Sequence, residues 1–449
     1  MLANKTFYLF IYGCQMNEHD AERIVGLLET YGAMRVDSVE AAEIVVFVTC
    51  CVREAADIRL MGQAASIKNI PLPADSTLNK RIVAVGGCIG QRDGLELLEK
   101  LDNVDVVFGT HTIDQLPGLL IKAASDHSRS VSLLEESAGF ASDLPSHRKH
   151  TWAAWLPITT GCDNFCTYCI VPYVRGREKS RTLEDVLDEA SLLMSEGVKE
   201  ITLLGQNVNS YGRDLYGSPQ FAKVLKGVCD TGVDRVRFAT SHPKDLTDEV
   251  IALFGTEANL MPYLHLPAQS GSNRILREMN RRYTREAYLD LVRKVRQANP
   301  DISLSTDIIV GFPGETEEDF QQTYNLVKEV GYSQVFTFIY SKREGTPAAE
   351  MPDDTPREVI QDRFDRLVAL VQENAYQQNQ RFVGRWLDVL VEGPSKRDPR
   401  VLTGHSPHNV TVHAKVPSGV ALEDIVGTMV QVRIDEAKTW YLTGEVVGE

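Results

Sequence analysis

Short apolar runs alternate with amphipathic stretches over the first 123 residues. The runs Phe7–Tyr12, Glu43–Thr49, Arg81–Gly86 and Val104–Phe108 read as strands. Between them, Asn17–Tyr31 sets Ile24, Leu27 and Leu28 on one side of a helix. Alternating β and α predicts a parallel sheet with helices on both faces. Residues 124–149 turn polar, with Ser125 to Ser130 running together before a short apolar break at Val131, Leu133 and Leu134, and 124–147 are expected to form a linker. A second βα series follows over residues 148–378. Its strands are expected at Trp155–Thr159, Glu200–Gly205, Arg235–Thr240, Tyr263–Leu266, Ser303–Val310 and Gln334–Tyr340. Helices fit at Leu183–Glu196, Asp248–Phe254, Asn273–Ala298 and Glu317–Val330, and Arg357–Gln380 closes the section. Six such units predict an incomplete (β/α)6 barrel, with an open doubly wound sheet as the alternative. Residues 379–449 change character: short strands at Trp386–Val391, Asn409–His413, Val430–Ile434 and Tyr441–Val447 are separated by Gly, Pro and charge. They predict a small β-barrel of the oligonucleotide-binding type, in an α/β protein overall.

Composition narrows the class. At ~150 residues per domain, 449 residues suit about three domains. With 43% hydrophobic and 24% charged residues, the chain is neither disordered nor a small disulfide-stapled scaffold. No apolar stretch approaches the ~20 residues of a membrane span. The N-terminus lacks the features of a signal peptide, so the expected compartment is the cytoplasm, with no membrane partner. The net charge of −15 argues against a general nucleic-acid coater and leaves room for a local basic groove.

The cysteines carry the chemistry. Cys162, Cys166 and Cys169 fall within eight residues, just after the first expected barrel strand. Their spacing offers three thiolates to three irons of a cube and leaves the fourth iron open. It matches neither two separated zinc-binding pairs nor a four-cysteine ferredoxin run. A second set is dispersed. Cys14, Cys50 and Cys88 each follow an expected strand of the first section, so a parallel sheet brings them to one edge, where ligands bind. Cys51 points elsewhere in an extended chain, and Cys229 lies in an apolar helical run; both are read as structural, with Cys51 also a candidate substitute ligand.

The Cys-x3-Cys-x2-Cys loop, with Tyr168 before the third cysteine, resembles that of the radical S-adenosylmethionine (SAM) superfamily. Its resemblance implies that SAM chelates the open iron and yields a 5′-deoxyadenosyl radical. Tyr12-Gly13-Cys14-Gln15-Met16-Asn17, Thr49-Cys50-Cys51-Val52-Arg53-Glu54 and Gly86-Gly87-Cys88 resemble the three N-terminal motifs of the methylthiotransferases. Val48 and Cys51 depart from the usual Asn and small residue of the second motif. The segment from Ile170 to Arg181, Gly205–Gly212, Ser241-His242-Pro243, His265–Ser272, Met279–Thr284 and Thr306–Thr316 resemble the MiaB-type tRNA branch. Glu392-Gly393-Pro394-Ser395-Lys396 resembles the TRAM RNA-binding domain, where His405 replaces an expected Arg and implies one lost RNA contact.

This resemblance covers essentially the whole chain. It implies an N-terminal methylthiotransferase domain (1–123), the linker (124–147), a radical SAM core (148–378) and a TRAM domain (379–449). It further implies two 4Fe–4S clusters, two SAM molecules per turnover, and methylthiolation at carbon 2 of isopentenyl-adenosine beside the tRNA anticodon. Implied partners are the anticodon stem-loop, an electron donor such as flavodoxin or ferredoxin, and a sulfur donor. Expected SAM contacts are the strand-end groups Gln206, Asn207, Ser241, Gln269, Asp307 and Gly311. Two basic stretches, Arg175–Arg181 and Arg274–Arg296, are expected to hold phosphates, and Ile170, Val171, Pro172 and Tyr173 to form an apolar wall for the isopentenyl group. Close alternatives are the threonylcarbamoyl-adenosine tRNA enzyme and the ribosomal-protein aspartate enzyme. A non-catalytic iron–sulfur or zinc RNA-binding protein is the alternative from another class.

Overall fold

The computed structural model describes residues 2–51, 54–135, 144–417 and 419–447. The chain divides into two compact units. One comprises Met1–Lys149 with Thr160–Phe165 and Cys169–Lys179; the other comprises His150–Thr159, Cys166–Tyr168 and Ser180–Glu449.

The first unit is built on a six-stranded sheet. Across the sheet the strands run Met34–Arg35, Thr6–Ile11, Ile44–Thr49, Ile82–Gly87, Val106–Phe108 and Ser130–Ser132, every pair parallel. Ile44–Thr49 is buried at every position, as a central strand covered on both faces must be. Its side chains alternate between two cores. Val46 and Val48 pack with Ile24, Leu28, Leu116 and Leu120 from the helices Gln15–Thr30 and Leu116–Asp126. Val45 and Phe47 pack with Leu60, Ala64 and Leu97 from the helices Glu54–Ile67 and Leu95–Lys100. The strand Ser130–Ser132 corrects the linker reading at its start: the backbone of this polar run pairs with Val106–Phe108, a bond that polarity alone does not reveal. Residues 136–143 of that linker lie outside the described residues.

The second unit holds six parallel strands in two groups of three. Ala153–Pro157, Glu200–Leu204 and Arg235–Phe238 form one group; Tyr263–His265, Ser303–Val310 and Gln334–Ile339 form the other. A parallel bridge between Val236 and Leu260 leads from the first group towards the second. This is the incomplete barrel that the βα repeats predict. Its helices start on side-chain caps: Thr182, Thr247, Thr284 and Thr316 each accept from a backbone N–H in the first turn. Such caps contribute about 1 kcal/mol apiece. The expected helix Asn273–Ala298 is two helices, Asn273–Glu278 and Arg285–Ala298. Asn280 takes a left-handed φ of 55°, and Thr284 caps a fresh start.

The C-terminal strands close a five-stranded barrel around Val389, Leu402, Val412, Val432 and Leu442. The sequence reading missed Val401–His405, a strand whose Gly404 interrupts the apolar alternation. His405 is turned into the fold. Its Nε2 lies 2.7 Å from Glu200 Oε2 and its Nδ1 2.8 Å from Glu392 Oε1. Arg237 Nε sits 2.9 Å from Glu200 Oε1, while Arg235 donates to the carbonyls of His405 and Asp388. Glu200 is 1% exposed. Burial alone would raise its carboxyl, but Arg237, His405 and Arg235 outweigh burial and bring it down to about 2.

This cluster seats the small barrel on the strand ends. Glu200→Gln leaves buried guanidinium groups uncompensated and is expected to cost about 3–5 kcal/mol. A carboxyl held below its ordinary value stabilises the fold above that value and loses the contribution as pH falls through the lowered one. Thermal unfolding followed from pH 5 down towards pH 2 should therefore drop more steeply in the wild type than in Glu200→Gln.

Candidate active site

Three strand ends of the first unit converge on thiols. Thr6–Ile11, Ile44–Thr49 and Ile82–Gly87 are adjacent and parallel, so Cys14, Cys50 and Cys88 leave the sheet on one edge. Cys14 is the N-cap of Gln15–Thr30, and Cys88 opens the helix Cys88–Asp93. Helix N-termini favour thiolates. Gly13, at φ 138°, lets the chain pass Cys50: a Cβ there would lie 2.2 Å from Cys50 Cβ. Cys14 and Cys50 share a hydrogen bond, the largest influence bringing the Cys14 thiol down to about 6. Cys51 does not point away as expected. It is fully buried and bonds to Cys88, so the turn after Thr49 gives one thiol to each side. That contact lowers Cys88 to about 7 and pushes Cys51 far up. The thiols thus meet two by two. No group of three His, Cys, Asp or Glu side chains among the described residues closes to the geometry of a single metal ion. Val52 and Arg53 of this motif lie outside the described residues.

Arg175 departs from the phosphate-binding reading. It is 5% exposed, and its Nη2 donates to Asp20 Oδ2 at 2.8 Å and to Asn17 Oδ1 at 3.3 Å. Asn17 Oδ1 also accepts from Cys14 Sγ at 3.4 Å. In the same unit, Ile170 and Pro172 are buried, Ile170 in the core beside Cys88. The expected apolar wall therefore reduces to the half-exposed Tyr173 and part of Val171. Tyr173 meets the exposed Phe165 edge-on, with ring centroids 6.3 Å apart, and Arg177 lies 5.8 Å over the Phe165 ring.

The Cys162–Cys169 loop is tightly built. Gly161, at φ 75°, is where any Cβ would fall 2.0 Å from the Arg177 carbonyl oxygen. Arg177 holds Asp163 through two donors, at 2.7 and 3.1 Å. In the second unit, Cys166 is buried and its Sγ accepts from Arg281 Nη1 at 3.6 Å; Arg281 Nη2 is fixed on the Pro267 carbonyl at 2.7 Å. Thr167 bonds to the backbones of Glu278, Met279 and Ala348, and Tyr168 packs on Ile275, Met279 and Phe312. Sequence reasoning put Arg281 in a phosphate patch. Its distance of two residues from Tyr283, whose hydroxyl it meets at 3.0 Å, was the available signal for a role inside the fold.

The barrel rim carries buried polar atoms without protein partners among the described residues. Gln206 Oε1, Asn207 Oδ1 and Ser241 Oγ are of this kind, as are Thr159 Oγ1 and Asn209 Nδ2 nearby in the sequence of strand ends. Asn207 is held by its Nδ2, which donates to Asp245 at 2.8 Å. A hydrogen-bonding ligand at these strand ends would relieve several unpaired groups at once, which suits the polar ends of SAM. The other expected contacts differ. Gln269, at φ 67°, exchanges backbone bonds with Asp307 and Ile309. Asp307 lies 3.5 Å from His265 Nε2. Gly311, at φ 71°, donates its N–H to Glu315, and a Cβ there would strike Ile360. His265, missed as a site residue, also meets Ser305 Oγ at 2.9 Å and the Phe336 ring edge-on.

Most of the Arg274–Arg296 charge is already spent. Arg274 pairs with Asp319, Arg285 with Glu329, Arg293 with Asp290 and Lys294 with Asp248. Arg296 bonds to the Val330 carbonyl. Arg181 is likewise buried against Glu189. Arg277 and Arg282 are the exposed cations of this stretch without an acidic partner among the described residues.

A parallel barrel, a three-cysteine loop behind its first strand and unpaired polar groups on its rim define a radical SAM enzyme. The Radical SAM superfamily model matches residues 156–327, the model described as uncharacterized protein family UPF0004 matches 6–109, and the TRAM domain model matches 380–447. A tRNA-2-methylthio-N(6)-dimethylallyladenosine synthase of Acidothermus cellulolyticus is 47% identical over 99% of this chain and 88% of its own length. Its counterpart in Carboxydothermus hydrogenoformans is 44% identical, over 99% and 100%. The chain belongs to this family of synthases and is a radical SAM methylthiotransferase that uses 4Fe–4S and SAM. Among solved structures, the radical SAM methyltransferase TsrM of Kitasatospora setae shares the fold, with a TM-score of 0.55 at 14% identity over 77% of this chain and 74% of its own.

The thiol geometry makes a direct prediction. Cys14 is exposed and its thiol is lowered, whereas Cys51 and Cys229 are buried and raised. Iodoacetamide added to metal-free protein at pH 7 should alkylate Cys14 first and leave Cys51 and Cys229 unmodified. The Cys14 rate should fall about tenfold per pH unit below 6, as thiolate is lost. Peptide mass spectrometry reads both.

Proposed function

We propose that this chain inserts a methylthio group at carbon 2 of isopentenyl(dimethylallyl)-adenosine beside the anticodon of tRNA. The observation that carries the reading is the presence of two separate cysteine trios, each at the C-terminal end of parallel strands. An unactivated aromatic C–H calls for a radical generator and a sulfur source, and one trio serves each need. Cys162, Cys166 and Cys169 hold a 4Fe–4S cluster beside SAM; Cys14, Cys50 and Cys88 hold the sulfur-carrying one. Gln206, Asn207 and Ser241 orient SAM through their otherwise unpartnered atoms. When bound, the clusters and SAM supply reductive cleavage to a carbon radical at one site and methylated sulfur at the other.

The chain's own surface fits a nucleic-acid substrate piecewise. In the first unit Phe165, Tyr173 and Arg177 are exposed, as aromatic and guanidinium groups that stack on splayed bases are. In the second unit Arg277, Arg282, Lys396 and Arg397 are exposed without an acidic partner among the described residues, and they would position phosphates. We assign residues 1–123, 148–378 and 379–449 as methylthiotransferase domain, radical SAM core and TRAM domain, with 124–147 joining the first two and its strand Ser130–Ser132 belonging to the first domain's sheet. No helix among the described residues is long and apolar enough to cross a membrane, and we place the enzyme in the cytoplasm with a flavodoxin- or ferredoxin-type electron donor and a separate sulfur donor.

Two experiments test the reading. Incubation with isopentenyl-adenosine tRNA, unmodified tRNA and threonylcarbamoylated tRNA side by side should give the methylthio product from the first alone, read by nucleoside mass spectrometry. Preferred turnover of the threonylcarbamoylated tRNA would transfer the chain to the sister activity. Ser241→Ala should weaken SAM binding by roughly five- to tenfold, about one hydrogen bond, with the iron content unchanged. Unaltered SAM affinity in equilibrium dialysis would remove Ser241 from the contacts.

A further inference from the structure

The first unit buries one guanidinium among its thiols. Arg175 reaches them from the short helix Val171–Arg175, which follows directly on the Cys162–Cys169 loop. It is held by Asp20 at 2.8 Å and by Asn17 at 3.3 Å, and Asn17 is the residue to which Cys14 Sγ donates at 3.4 Å. Thr110 Oγ1 bonds to the Val174 carbonyl at 2.9 Å and fixes the end of the helix. Asp20 is shared: His19 Nδ1 lies 3.7 Å from its other oxygen, and Arg23 Nε bonds to His19 at 3.2 Å. Every one of these side chains is less than a tenth exposed except Cys14.

A buried Arg with a single buried Asp is a neutral pair, and an apolar pair of similar volume often serves stability as well. The fork is wider than that need. One nitrogen bonds both the Asp and the Asn that faces Cys14, which sets the guanidinium's charge beside the thiols.

We propose that Arg175 is a positioning residue for the sulfur-carrying cluster: its charge offsets the thiolates of Cys14, Cys50 and Cys88 and sets how readily that cluster accepts an electron, with Asp20 opposing it. The proposal rests on the assignment of this trio as cluster ligands. Reduction adds one negative charge to the cluster. A fixed positive charge beside the thiolates favours the reduced form, and a fixed negative charge disfavours it.

The test uses the full chain with Cys162, Cys166 and Cys169 replaced by Ala, so that the N-terminal cluster alone is read. After anaerobic reconstitution, iron is counted and the reduced fraction is followed by electron paramagnetic resonance in a mediated redox titration. Arg175→Gln should bind iron and move the midpoint negative. At the parent's midpoint, its reduced-to-oxidised ratio should fall about tenfold, equivalent to 59 mV for one electron. Asp20→Asn, which keeps an acceptor for Arg175, should move the midpoint positive, and Arg175→Lys should restore it most of the way. Opposite signs for Arg175→Gln and Asp20→Asn are the signature of charge; a loosened site would shift both alike. Should Arg175→Gln lose its iron, Asp20→Asn and Arg175→Lys decide by the same signs. A full cluster with an unmoved midpoint in Arg175→Gln, or shifts of one sign in both, overturns the proposal. A parent that binds no cluster overturns the trio assignment itself.

Discussion

In a parallel sheet every strand ends on the same edge, and this chain depends on that constraint twice. Cys14, Cys50 and Cys88 are separated by 36 and 38 residues, yet three adjacent parallel strands deliver them to one place. The barrel strands deliver Gln206, Asn207 and Ser241 to their own C-terminal rim in the same way. Neither gathering of side chains could be assembled by antiparallel pairing, which would send alternate strand ends to opposite edges. The interiors are accordingly apolar on both faces of the central strands, and the chemistry is confined to the loops beyond them.

Gathering thiols has an electrostatic cost, and the residues around them address it. Cys14 and Cys88 stand at helix starts, where the helix dipole favours negative charge. Arg281 donates to Cys166 in the second unit, and Arg175 lies among the thiols of the first. Both arginines are buried, and each is locked by an acceptor other than sulfur: the Pro267 carbonyl for one, Asp20 for the other. Charge that looks in the sequence like a basic surface is in these two cases interior.

The strands and their parallel order were legible because buried strands are continuous apolar runs and the helices between them are amphipathic. The spacing of Cys162, Cys166 and Cys169 singled out their loop in the sequence. The dispersed trio needed the inference that successive strand ends coincide, which the sheet order bears out. What failed were side-chain destinations. Arg175 and Arg181 are indistinguishable from surface arginines by type and spacing, Arg281 differs only by its nearness to Tyr283, and Asp20, Glu189 and Cys166 brought near the three show where they go. Ile170 faces a core and Pro172 is buried, for the same reason. Cys51 turns towards Cys88 because the chain bends straight after Thr49, whereas an extended chain would have sent it away. His405 looked like a missing RNA contact and is a partner of Glu200, 205 residues distant.

The central claim is that two independent trios of cysteines each hold a cluster. Iron and acid-labile sulfide counted on anaerobically reconstituted protein test it most directly. Replacing Cys162, Cys166 and Cys169 together by Ala should leave about half of both, and replacing Cys14, Cys50 and Cys88 should leave the other half. Full retention of iron in either triple variant would contradict the account.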